Sequence, residues 1–191
     1  MTIRLHRGDL PDLSRYRGAV AIDTETMGLN PHRDRLCVVQ LSAGDGTAHI
    51  VQILKGGPEP VRLKALLADE TVLKIFHYAR FDIAALYNAL GVMTTPVYCT
   101  KIASKLSRTY TDRHGLKELA HEILGLELSK HQQSSDWGAA ELTQQQVAYA
   151  AHDGLHLHAI KDRLDAMLAR EGFSGGAQLV RFLPESVLVG F

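Results

Sequence analysis

Residues 19–22 (AVAI) are apolar enough for a fully buried strand, and the run ends at once in two carboxylates, Asp23 and Glu25. No other feature constrains the chain as strongly. A strand of period two points both acidic side chains to the same side, where their repulsion needs a counter-charge. A hard divalent cation held by oxygen ligands supplies one. Taken alone, a D-x-E at a strand end is more often an N-cap or a solvated edge.

The rest of the chain alternates strands with helices. Residues 36–41 (LCVVQL) and 47–53 read as strands joined through the tight turn Gly44-Asp45-Gly46. Residues 72–76 read as a fourth strand and 97–99 as a short fifth. Helical spacing covers 61–67, 81–90 (stopped by Gly91), 101–106, 116–124 (stopped by Gly125) and 143 to about 170. Thr143 followed by Gln146 has the form of a capping box. This order predicts an α/β domain with a mixed sheet of about five strands and helices on both faces. At 191 residues, one such domain spanning 1–191 is expected.

Composition narrows the function classes. The 21 Lys and Arg balance 21 Asp and Glu, which argues against a protein that coats long nucleic acid by charge alone. The longest apolar runs fall short of a membrane span, and no signal-like apolar stretch follows the basic N-terminus, so no membrane partner and a cytoplasmic location are expected. Cys37 and Cys99 stand too far apart for a disulfide framework or a zinc spacing. His152, His156 and His158 lack the third fixed ligand a zinc site needs.

Two further places carry carboxylates at element ends. In Phe76-His77-Tyr78-Ala79-Arg80-Phe81-Asp82, Asp82 falls in the first turn of a helix, where it also complements the helix dipole. In Tyr149-Ala150-Ala151-His152-Asp153, Tyr149 and Asp153 stand four apart on one helix face among alanines. Together, Asp23, Glu25, Asp82 and Asp153 can converge on two cations that clamp an in-line phosphoryl displacement. Tyr149 then orients, or helps deprotonate, the attacking water.

The order D-x-E, then Asp, then Y-x-x-x-D resembles the DEDD exonuclease superfamily in its tyrosine subclass, which includes RNase D and polymerase proofreading domains. The position five before Asp153 is Ala148, not the His of the histidine subclass. The stretches DTETMGLNPHRDRLCVVQLS, CTKIASKLSRTYTDRHGLKE and QQSSDW are similar to the nanoRNase C family of short-RNA exonucleases, over nearly the whole chain. The chain is shorter than a complete RNase D. The resemblance implies an RNase H-like fold, two Mg2+ or Mn2+ ions per site, and release of 5'-mononucleotides from RNA 3' ends. It implies that Asp23, Glu25 and Asp153 hold one metal, that Asp23 also touches the second, and that Asp82 acts directly or through water. It further implies a ring-like homo-octamer. One departure is Gly154, a helix glycine expected to allow close backbone approach.

The expected substrate is short single-stranded RNA, dinucleotides included, with DNA as a second candidate. Thr24 within the first motif is a candidate contact. Leu29, by its resemblance to an oligoribonuclease position, is the expected wedge between two bases, against a reading as a packed loop leucine. Lys105 and Arg108, within a basic run that includes Lys101, Arg113 and Lys117, are candidate phosphate contacts, against a solvated face balanced by Glu118 and Glu122. Gln133, Ser135 and Trp137 either cap a 5' phosphate and stack a base or form a capped turn with Trp137 in the core. His77 either donates to a phosphate or sits bonded to backbone. One alternative function is an RNase D-like exonuclease trimming longer RNA or DNA ends. Another, from a different class, is a binding module on an inactive nuclease fold.

Overall fold

The computed structural model describes residues 1–30, 32–128 and 135–172, together with the backbone of 181–182. Gln133, singled out above, lies outside the described residues.

The central strand of the sheet is β2 (Ala19–Thr26), with Val20, Ala21 and Ile22 fully buried, as the apolar run requires. On one side it pairs antiparallel with β3 (Leu36–Ser42), which pairs antiparallel with β4 (Thr47–Gln52). On the other it pairs parallel with β5 (Leu73–Phe76), itself parallel to β6 (Val97–Cys99). Two further strands extend the expected five. The edge strand β1 (Thr2–Arg7) runs parallel to β4, and the two-residue β7 (Arg181–Phe182) flanks β6. The sequence hides β1 because an edge strand is half solvated: Thr2, Arg4, Leu5 and Arg7 are exposed, so no apolar run marks it.

Alternate residues of β2 serve two cores. Val20 and Ile22 face a layer containing α1 (Val61–Ala68) and α2 (Ala79–Leu90). Ala21 faces the opposite layer, with α3 (Thr100–Ser107) and the short α4 (Leu116–Leu119), which continues as a π-helical turn, Ala120–Leu124. The long helix expected from 143 onward is two. The first, α5 (Gln144–Leu155), is capped as foreseen by the reciprocal Thr143–Gln146 box and packs over β3 and β4 through Ala150 and Ala151. The second, α6 (Leu157–Arg170), buries Leu157, Ile160, Leu164 and Leu168 against α3 and β5. The break at His156 separates helices that serve different cores, a distinction helical periodicity does not show. Among the described residues, no helix is long and apolar enough to cross a membrane.

Candidate active site

Asp23 and Glu25 occupy the end of β2 on the face shared with Ala21, because two residues of extended chain return to the same side. Next to Glu25 the pairing of β2 with β3 shifts register, a bulge of the kind that re-aims strand-end side chains. Onto this face α5 brings Asp153, one turn after Tyr149. Carboxylate oxygens of Asp23, Glu25 and Asp153 all lie within 4.8 Å of one another. Such a set is hard, anionic and oxygen-only, so it fits a divalent cation such as Mg2+ or Mn2+.

Asp82 arrives differently. It sits in the first turn of α2, which packs on the opposite face of the sheet, and it is buried. Its carboxylate accepts a hydrogen bond from Thr24 Oγ1 at 2.7 Å. Thr24, between the two β2 acids, points to α2 because strand side chains alternate. The structure therefore gives Thr24 a defined task of anchoring Asp82, while three of the four acids form the tight cluster.

Burial under like charges governs the electrostatics. Burial first, then Asp82, Asp153 and Glu25, pushes the Asp23 carboxyl well above the ordinary range. Burial, then Asp153 and Asp82, raises Glu25 to about 8, opposed by a long hydrogen bond from Gln40 Nε2 at 3.4 Å. Burial raises Asp82 to about 7, opposed by the Thr24 hydroxyl. Asp153 rises to about 6, again by burial, while the Tyr149 hydroxyl favours its charged form. In turn, burial and Asp153, Glu25 and Asp23 raise the Tyr149 phenol, keeping it protonated as a donor.

Asp23, Glu25, Tyr149 and Asp153 line one cleft of about 630 Å3 with Met27, Gly28, Leu29, Tyr78, Phe81 and Ser135, while Asp82 lies behind it, bonded to Thr24. Leu29 is 85% exposed, so it is a free apolar side chain at the cleft and no packed loop residue. Its loop closes on Asp34, whose carboxylate accepts from the Asn30 amide at 3.0 Å. A Cβ at Gly28 would run into the Asp34 carboxylate, so a side chain there would force that carboxylate to shift. Gly154 meets no such crowding. The nearest neighbour of a Cβ there is Gln40 Cβ at 3.9 Å, an ordinary contact, which corrects the expectation of a close backbone approach.

Other candidates are placed elsewhere. Arg108 is wholly buried and donates to Ser104 Oγ at 2.9 Å, to the Arg113 carbonyl at 2.8 Å and to Glu122. It is a structural clamp between α3 and the following loop, so its expected phosphate contact is corrected by burial. Trp137 is 2% exposed, with its ring 6.1 Å from that of Tyr149, so it backs the tyrosine from within the core. His77 lies 2.9 Å from Thr100 Oγ1, and burial lowers it to about 4, leaving it neutral. Lys105 is exposed and lines an adjacent cavity with Lys101 and Tyr78. Ser135 lies at the cleft itself. His152 and His156 approach to 6.2 Å between rings, with no third ligand beside them among the described residues. Sequence reasoning passed over Gln40, which lies opposite Asp23 on β3, is buried, and reaches Glu25. Only the register could have found it, since a glutamine inside an apolar strand is its sole signal.

The chain can now be set beside known proteins. Residues 10–169 match the 3'-5' exonuclease family. Ribonuclease D of Gluconacetobacter diazotrophicus is 34% identical over 153 residues, 80% of this chain but 38% of that protein, so the chain spans well under half of such relatives. Escherichia coli RNase D, an exoribonuclease involved in structured RNA processing, superposes with a TM-score of 0.73 at 26% identity, covering 85% of this chain and 43% of that one. Brucella melitensis NrnC superposes with a TM-score of 0.93 at 56% identity, over 99% of this chain and 93% of that one, and structures of it carry Mg2+ or pGG. With the D-x-E and Y-x-x-x-D residues gathered at one cleft of an RNase H-like sheet and the remaining Asp82 held behind it by Thr24, the chain belongs to the DEDD 3'-5' exonuclease family, in the branch that NrnC represents.

Proposed function

We propose that this chain is a metal-dependent 3'-5' exoribonuclease that degrades very short RNA, dinucleotides included, to 5'-mononucleotides. The observation that carries this reading is the convergence of Asp23, Glu25 and Asp153 within 4.8 Å in a cleft that also holds Tyr149 and the exposed Leu29. Mg2+ or Mn2+, two ions per site, would supply charge neutralisation and an activated water. Asp23, Glu25 and Asp153 would hold one ion, Asp23 would share the second, and Asp82 would act directly or through water. Tyr149 orients the attacking water from its place beside Asp153. Leu29 offers an apolar side chain to a base face regardless of sequence, which suits a scavenger of short fragments. The pGG-bound state of the Brucella relative supports the preference for short substrates. Single-stranded DNA is a second substrate class, and one exonuclease domain assembled as a ring-like homo-octamer in the cytoplasm is the setting we infer from the resemblance.

The test compares kcat/KM on a 5'-phosphorylated diribonucleotide and a heptaribonucleotide in Mg2+. Strong preference for the dinucleotide is expected. Equal or better use of the longer RNA would favour a trimming exonuclease of the RNase D kind. Binding without hydrolysis in either Mg2+ or Mn2+ would refute the enzymatic reading, as would activity that survives Asp23→Ala.

A further inference from the structure

Tyr78 has a left-handed backbone, φ 63° and ψ 45°, and is the one non-glycine residue with positive φ among those described. It is the second of two residues between the end of β5 at Phe76 and the start of α2 at Ala79. So abrupt a turn from strand to helix calls for a left-handed residue, and glycine takes that conformation without steric penalty. A tyrosine there is strained, and burial does not compensate, since half of the residue is exposed.

The ring is nonetheless held. Lys101 Nζ, from α3, lies 4.2 Å from its centroid, within cation–π range. Tyr78 also forms part of two cavities at once. One is the carboxylate cleft, shared with Leu29 and Phe81, and the other is a neighbouring cavity of about 320 Å3 lined by Lys101 and Lys105. Strain, exposure, a cation on the ring and a place in the cleft wall thus coincide in a single side chain. Backbone strain held at a cleft points to a use for the residue that bears it.

We propose that Tyr78 is a specificity-determining substrate contact, its ring steadied by Lys101 as a platform on which a nucleobase stacks. This rests on the proposed function and deepens it. Every base has a π-face, so an aromatic platform binds without regard to sequence. The lysines beside it supply positive charge for the phosphate that accompanies the base. Leu29 and Tyr78 are then two base-contacting walls of one cleft.

Three proteins test this: wild type, Tyr78→Gly and Tyr78→Phe. Each is titrated calorimetrically with a 5'-phosphorylated diribonucleotide in Ca2+, assayed in Mg2+, and melted. Tyr78→Gly suits the left-handed turn, so its melting temperature should equal or exceed that of wild type. Its affinity should fall, and its KM rise, by roughly ten-fold, the size of one base–aromatic stack. Its kcat should stay within about three-fold, because the reacting groups are untouched. Tyr78→Phe keeps the ring and should bind like wild type. Unchanged affinity in Tyr78→Gly would overturn the platform, and so would a loss in Tyr78→Phe as large as in Tyr78→Gly. Wild-type binding without hydrolysis would instead refute the proposed function, while the binding comparison still decides the role of Tyr78.

Discussion

Neutralising one member of the carboxylate cluster should make the metal-free protein more stable and the metal-bound protein relatively less so. Glu25→Gln is the sharpest such change. Oxygens of Glu25 lie within 4.8 Å of those of Asp23 and Asp153, and a pair of unit charges at that separation repels by about 3 kcal/mol at an effective dielectric near 20. Part of that repulsion is already relieved, because Glu25 is raised to about 8 and Asp153 to about 6. These shifts also set the sign of the pH dependence. A carboxyl whose folded pKa lies above its unfolded value contributes stability that is full below the unfolded value and lost as pH climbs through the folded one. The wild-type protein in chelator should therefore lose stability from about pH 5 to about pH 8.5, through the raised range of Asp153 and Glu25. At the upper end Glu25→Gln should gain roughly 2–3 kcal/mol, or about 5–10 °C in melting temperature for a domain of this size. Saturating Mg2+ should narrow that difference towards zero, since wild type gains about 2.7 kcal/mol at a hundred times Kd and the variant, binding less tightly, gains less. Scanning fluorimetry at several pH values, with chelator or with Mg2+, reads all of this. A variant that melts below wild type in chelator at high pH, or a wild-type melting point insensitive to pH, would refute the account of the cluster as strained like charge.

Tyr149→Phe keeps the ring beside Trp137 and removes the hydroxyl bonded to Asp153. Steady-state kinetics should show kcat lower by about 10²-fold with KM within about three-fold, whereas an equal loss of affinity would make Tyr149 a substrate contact. Arg108→Met leaves the Ser104 hydroxyl and the Arg113 carbonyl without their buried donor. It should cost about 2–4 kcal/mol in denaturant unfolding and leave KM unchanged within about two-fold. A raised KM at unchanged stability would restore Arg108 to the substrate.

How much was legible depended on whether a signal was local. Asp23 with Glu25, and Tyr149 with Asp153, were readable because a period of two and a spacing of four each fix a shared face within one element. The Thr143 cap was readable for the same reason, its partner being three residues away. Asp82 was recognisable as a helix-start acid, but its face was not. Only the packing of α2 across the sheet from α5 turns it toward Thr24 and out of the tight cluster. Arg108 looks like a surface cation, and Trp137 reads equally as a stacking ring or a core residue, until the fold buries both, since burial is decided by residues distant in sequence. The left-handed turn at Tyr78 left no trace either, because tyrosine does not announce positive φ as glycine does.

By itself, then, the sequence determined which chemistry the chain carries and on which elements, since alternation, helical spacing and capping are short-range properties of a polypeptide. The tertiary structure decided which acids meet, which cation serves the core, and which aromatic rings stand at the cleft. Those outcomes depend on strand order and on which face of the sheet each helix covers, and both are settled by how the whole chain buries its apolar surface.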